Sequence, residues 1–258
     1  MKLKFSKANI KLKRLGSVKE LNKYLFDKRK VYSFDLISGH SCPFAQDCLA
    51  KVIIMPDGSK KLIDGKDANV RCFSASQEVI YKNVYNSRMH NFNLIKSNDD
   101  KINFIESHLP KDAGIVRIHV AGDFFNQDYF DAWVEVSKNN PNVLFYAYTK
   151  SLPYWVARLN EIPDNFILTA SYGGRRDALI KKHNLRSVKI VHSTYQARKL
   201  KLQIDHDDSH AAIPSKKHKD FALLIHGIQK AKTKASKAIQ RMKKLGVEFS
   251  YGIKRKAA

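Results

Sequence analysis

The sequence predicts an α/β protein built from parallel βα units, and three observations carry that expectation. From residue 115 onward, short apolar runs rich in β-branched and aromatic residues alternate with segments of helical periodicity, at intervals of roughly 20–25 residues. Each run ends on small or polar residues: Ala121-Gly122-Asp123, Thr149-Lys150-Ser151, Ser171-Tyr172-Gly173-Gly174, His192-Ser193 and His226-Gly227. Ligands collect at such strand ends in parallel sheets. With 258 residues, 43% of them hydrophobic, the chain can bury a substantial core, which excludes wholesale disorder. Five or six units suggest a partial or irregular barrel, with an open doubly wound sheet as the alternative.

Taken in order, residues 2–5 suit a short strand. A helix is expected from Ser17, where Ser17-Val18-Lys19-Glu20 has the form of a capping box. Residues 31–37 alternate and are rich in β-formers, so they predict a strand ending at Ser38-Gly39-His40. The turn-rich stretch that follows contains Pro56-Asp57-Gly58 and Asp64-Gly65, the marks of a hairpin or excursion loop. Apolar residues at helical spacing predict one helix over 74–95 and a second over 99–109. Strands then fall at 115–120, 143–148, 166–170, 188–191 and 221–225. Between them lie helices at 128–139, 153–159 (with Pro153 in its first turn) and 175–183, and a long basic helix runs to about residue 245.

The formal net charge is +23, and its location says more than its size. Residues 1–30 carry +9 and residues 216–258 carry +11, so a nearly neutral body lies between two basic ends. This divides the chain into a basic N-terminal appendage (1–30), an α/β core with an N-terminal cysteine segment (31–230), and a basic C-terminal helix and tail (231–258). Clustered cations condense on a polyanion by releasing its counterions, so the expected partner is nucleic acid, either DNA or RNA. The bland reading is a solvated lysine-rich surface. A membrane partner is not expected, because the C-terminal helix has Ala and Ile on its apolar face rather than interfacial aromatics. No run approaches the roughly 18 apolar residues of a membrane span, and the first residues do not read as a secretory signal. Three cysteines, an odd number, point to a reducing compartment.

Three constellations suit chemistry. Cys42 and Cys48 follow a predicted strand and Cys72 precedes a helix, so their thiolates suit an iron–sulfur cluster or, alternatively, zinc, with His40 as a further ligand. Against this, cysteine is a common core residue. The run Asp205-His206-Asp207-Asp208-Ser209-His210 has metal-ligand chemistry but sits in a connection, where such residues are ordinarily solvated. The strand-end residues His119, Asp123, Tyr148, Lys150, Ser171, Tyr172, His192 and His226 form the third group. Among them Asp123 suits orienting a base or metal ligand, Lys150 suits a phosphate and Tyr148 suits base stacking. The bland alternatives are a turn aspartate and a satisfied core histidine. Gly173-Gly174-Arg175-Arg176 opens a helix whose amides and guanidiniums suit a phosphate.

The segments Cys42-Pro43 with Cys48, Arg71-Cys72-Phe73, Val116-Arg117-Ile118-His119-Val120-Ala121-Gly122-Asp123-Phe124, Phe145-Tyr146-Ala147-Tyr148-Thr149-Lys150-Ser151 and Phe221-Ala222-Leu223-Leu224-Ile225-His226-Gly227 together resemble the phage family called gene product 88. The resemblance runs from about residue 32 to residue 230. It implies a bacteriophage protein made in the host cytoplasm, with a group of three cysteines in the first block. A second cysteine group near the C-terminus, which some members carry, is absent here. The arrangement is also similar to that of radical S-adenosylmethionine enzymes, though without their compact three-cysteine loop.

These readings converge on a phage nucleic-acid-associated protein with a metal or iron–sulfur site at Cys42, Cys48 and Cys72. Its pocket is expected to hold Asp123, Tyr148 and Lys150, which are the candidate catalytic residues for nucleic-acid modification or cleavage. Lys232, Lys234, Lys237, Arg241, Lys243, Lys244, Arg175 and Arg176 are the expected phosphate contacts. The alternative is a non-enzymatic DNA-binding or host-takeover protein in which the cysteines hold a structural zinc or nothing.

Overall fold

The computed structural model describes residues 1–247. Among the described residues there are ten strands: β1 (Phe5–Lys7), β2 (Lys30–Phe34), β3 (Ala50–Ile54), β4 (Lys60–Asp64), β5 (Ala113–Ile118), β6 (Leu144–Thr149), β7 (Phe166–Ser171), β8 (Ser187–Val191), β9 (Gln203–Ile204) and β10 (Phe221–Leu224). The helices are α1 (Ile10–Lys13), α2 (Asn22–Leu25), α3 (Phe73–Ile80), α4 (Lys82–Lys96), α5 (Lys101–Glu106), α6 (Gln127–Asn139), α7 (Leu152–Val156), α8 (Ala178–Lys182), α9 (Thr194–Lys199), α10 (Ser209–Ala212) and α11 (Lys234–Lys244).

Eight strands form one sheet in the order β1-β2-β5-β6-β7-β8-β10-β9, while β3 and β4 form a separate antiparallel hairpin. All neighbours in the large sheet are parallel except β1 on β2. From β2 to β8 the order follows the chain, and helices α4 to α8 pack on one face of the sheet. The period-two alternation of the strands separates two cores. Phe34, Val116, Ile118, Phe145, Ala147, Phe166 and Leu168 face the helices, chiefly Tyr129, Phe130 and Trp133 of α6. Val31, Ile115, Leu144, Tyr146, Ile167, Val188 and Phe221 face the other way and meet Leu12, Leu15, Leu21, Ala211, Ala212 and Ile213.

The α/β class and its parallel βα units are as expected, and of the two arrangements the sequence left open the structure has the open sheet rather than a closed barrel. The sheet stays open, because the face that a barrel would fill with opposing strands is filled by the N-terminal segment and α10. Residues 1–30, expected as an appendage, are therefore built into the body: Leu12, Leu15 and Leu21 are fully buried and β1 extends the sheet. The capping box at Ser17 is not formed. The Ser17 hydroxyl donates to the Arg14 carbonyl, while Glu20 accepts from the amide and hydroxyl of Ser215. The segment runs through two 3-10 turns before α2.

Elsewhere the expected elements are found with shifted ends. The long helix expected over 74–95 breaks at Tyr81, whose backbone is extended, giving α3 and α4. Asn126 caps α6 through its side chain, which accepts from the Tyr129 amide. The hairpin foreseen at Pro56-Asp57-Gly58 is β3–β4. The last helix, α11, buries Ala235 and Met242 against Val191, Ala222 and Leu224. Beyond it, the tail 248–258 of the expected C-terminal segment lies outside the described residues.

Candidate functional site

A cavity of about 200 Å³ opens at the carboxyl ends of the parallel strands. It gathers Arg117 and His119 at the end of β5, Tyr148 and Lys150 at β6, Ser171 at β7, and His226 beyond β10, together with Asp123. Tyr172 and His192, from the same sequence group, are not among its lining residues.

One wall is made by the cysteines. Cys42 and Cys48 come from the turn after β2, and Cys72 from the residue that opens α3. All three are half-buried and none is in a disulfide. The cysteine turn is clasped to the loop after β7, with the Gln46 and Asp47 amides donating to the Gly173 carbonyl and the Arg175 amide donating to the Phe44 carbonyl. Gly122 makes the close approach on the opposite side. Its φ is +86°, and a Cβ there would stand 2.6 Å from Ser41 Oγ and 2.8 Å from Leu36 Cβ, so the residue before Asp123 has to be glycine.

The sulfurs influence one another. Burial pushes the Cys42 thiol well above its usual range, with Asp123 and then Cys72 adding to the effect. Cys72 is pushed up to about 11 by burial and next by Cys48. Among the described residues, however, no group of three or more His, Cys, Asp and Glu side chains forms a ready metal-ligand set. His40 does not join the cysteines as expected. Its exposed ring turns outward and places Nε2 3.0 Å from the Val52 carbonyl of β3.

The three candidate catalytic residues all line this cavity, although their polar atoms are engaged. Asp123 Oδ1 accepts from Thr149 Oγ1 at 2.6 Å and the Phe124 amide at 2.8 Å, and Oδ2 accepts from the Lys150 amide at 2.8 Å. Burial pushes its carboxyl up, and these donors pull the other way. Lys150 Nζ donates to the Ser171 hydroxyl at 2.6 Å and to the Ser171 and Tyr172 carbonyls. Tyr148 donates to Asp208 Oδ1 at 3.2 Å, and its ring lies under the Arg117 guanidinium at 5.0 Å.

Asp208 belongs to the 205–210 run whose metal-ligand chemistry the sequence weighed against an ordinary solvated connection. Expected as a solvated connection residue, it is fully buried in the cavity floor. It accepts from Lys11 Nζ at 2.6 Å, from Arg117 and from Tyr146 at 3.0 Å, in addition to Tyr148. Burial alone would raise its carboxyl, but Arg117 and Lys11 outweigh burial and hold it well below the usual range. Asp208 (φ 65°) and His119 (φ 69°) are both buried in the left-handed region, which strains a non-glycine residue. The one sequence signal was Arg117, a charged residue within the apolar run 115–120, and it does not name its partner.

Gly173-Gly174-Arg175-Arg176 is not a phosphate cradle. The Gly173 and Gly174 amides are taken by the Asp177 carboxylate, at 2.8 and 2.9 Å, and α8 begins only at Ala178. Arg175 and Arg176 remain exposed, as do Lys232, Lys234, Lys237, Arg241, Lys243 and Lys244 on and just before α11.

The fold and site define an open-sheet α/β protein with a cysteine-walled cavity at the carboxyl ends of its parallel strands. The chain belongs to the Gene product 88 family, whose sequence profile matches residues 2–242. It is similar to the Gene 88 protein of Mycobacterium phage L5, at 30% identity over 123 residues, covering 43% of this chain and 44% of that protein. It is 28% identical to the Gene 88 protein of Mycobacterium phage D29 over 123 residues, 43% of each chain. The match thus spans under half the length of these relatives. No solved structure matches significantly. Among the described residues, no helix is long and apolar enough to cross a membrane.

Proposed function

We propose that the protein acts on nucleic acid in the cytoplasm of the infected host and that the cavity is its reactive or ligand-binding centre. In this reading Cys42, Cys48 and Cys72 hold a thiophilic metal or an iron–sulfur cluster. The observation that carries it is the convergence of three free cysteines, from two separate segments, on one cavity at the strand ends. A zinc ion there would supply Lewis acidity, and a cluster would supply electron transfer. Among the described residues the sulfurs do not stand as a finished ligand set. The exposed cations of α11 support the polyanion partner.

The second reading is a non-enzymatic DNA-binding or host-takeover protein with a structural zinc or no metal. It is favoured by one observation: both Asp123 oxygens and the Lys150 ammonium are committed to internal hydrogen bonds, which suits positioning better than proton transfer.

Anaerobic purification, a visible absorption spectrum and assays of iron, sulfide and zinc test the first reading. Stoichiometric iron with sulfide, lost in Cys42→Ala, is the expected result, and zinc lost in the same variant also supports a metal centre. Protein free of metal after anaerobic preparation with iron and zinc supplied overturns it.

A further inference from the structure

The hairpin of β3 and β4 is a two-stranded ribbon separate from the main sheet. Its register pairs Lys51 with Ile63 and Ile53 with Lys61, so these four side chains share one face, while Val52 and Leu62 share the other. The Val52 face is packed on α3. Lys60, on that side, is held in place with Nζ donating to the Glu78 carbonyl at 3.3 Å and lying 4.2 Å from the Tyr85 ring centroid. The opposite face looks outward, with Lys51, Lys61 and Ile63 exposed and Ile53 half-buried. It contains no acidic residue.

We propose that this outward face enters the major groove of duplex DNA, an inference that rests on the nucleic-acid reading above and names the polymer and the element that holds it. Two strands about 4.8 Å apart, carrying side chains, fit a groove about 12 Å wide, and a five-residue strand runs about 17 Å along it. The A-form duplex of RNA has a major groove too narrow and deep to admit such a ribbon. The lysines reach the flanking phosphates, and the isoleucines meet the methyl groups of thymine. The ribbon is also mounted at the cavity. β3 begins just after Cys48 and β4 leads back to Cys72, and both cysteines line the cavity wall.

The test is fluorescence anisotropy with three labelled probes: a 20-base-pair DNA duplex, the matching RNA duplex and single-stranded DNA. Binding is measured across a salt series for the full chain, for Lys51→Gln/Lys61→Gln and for Lys237→Gln/Arg241→Gln. The expected result is preference for the DNA duplex over the RNA duplex, with the ribbon variant losing about tenfold in affinity. Its salt slope should shrink by about two, one for each phosphate contact removed. Equal binding of DNA and RNA duplexes overturns the proposal, as does unchanged affinity and slope in the ribbon variant while the α11 variant weakens. Failure of the wild-type chain to bind any probe at low salt overturns the nucleic-acid reading itself. The replaced lysines are exposed, so an unchanged thermal midpoint separates lost contact from lost folding.

Discussion

Asp208 is buried with two cations, Lys11 and Arg117, on its carboxylate, and its replacement has a defined consequence. Asp208→Asn leaves Lys11 and Arg117 buried beside a neutral amide. The expected loss is about 3–5 kcal/mol of stability at neutral pH, read from the denaturant midpoint. Its pH dependence has a fixed sign. A carboxyl held below its unfolded value stabilises the native state above roughly pH 4, and that contribution is lost as the pH falls further. The gap between wild type and variant should therefore narrow in acid, and a gap that widens there would refute the assignment. Buried His119 and half-buried His226 act over a milder range. Burial, with Arg117 second, holds His119 at about 3, and burial followed by Lys11 holds His226 at about 4. Unfolded histidine titrates near 6.5, so below that pH the unfolded chain binds more protons than the native one. Stability should fall as the pH drops through this window, by roughly 1.4 kcal/mol per unit for His119. Thermal midpoints between pH 8 and pH 5 should decline, and His119→Gln should flatten the curve.

The elements show where local sequence wins and where it is overruled. α6 is specified locally, with an Asn126 cap followed by apolar residues at helical spacing that bury Tyr129, Phe130, Trp133 and Val136. Asn126→Ala should cost about 1 kcal/mol in a denaturant titration without changing the fold. The Ser17-Val18-Lys19-Glu20 motif has an equally good local signal, yet Glu20 is drawn to Ser215 across the fold. Tertiary hydrogen bonds outcompete a cap that is worth about the same. The break at Tyr81 has a similar origin. Helical periodicity runs through 74–95, but the two halves pack on different partners: α3 lies on the β3–β4 hairpin, while Ile95 of α4 enters the main core.

At the scale of the whole molecule, the two basic ends have different fates. The N-terminal residues interleave exposed lysines with fully buried leucines and cover one face of the sheet, whereas α11 keeps its cations exposed around a narrow buried seam. Binding to a polyanion should therefore be strongly salt-dependent and should weaken steadily when α11 lysines are neutralised. Replacing Lys11 should act through stability instead, because its ammonium is spent on Asp208. An affinity loss in Lys11→Met at unchanged stability would contradict this division.

The sequence by itself determined the βα rhythm, the hairpin, and the gathering of Asp123, Tyr148, Lys150 and the three cysteines at one end of the sheet. Each of these follows from periodicity, turn chemistry and the rule that strand ends in a parallel sheet lie together. Tertiary structure alone decided that the sheet stays open, that residues 1–30 fill its inner face, that His40 turns away, and that Asp208 becomes the ionic floor of the cavity. These outcomes depend on contacts between segments far apart in the chain. Read alone, Lys11 and Asp208 look solvated, and Arg117 in its apolar strand names no partner. Their mutual pairing is what makes burial of all three tolerable, and local sequence carries no record of that shared burial.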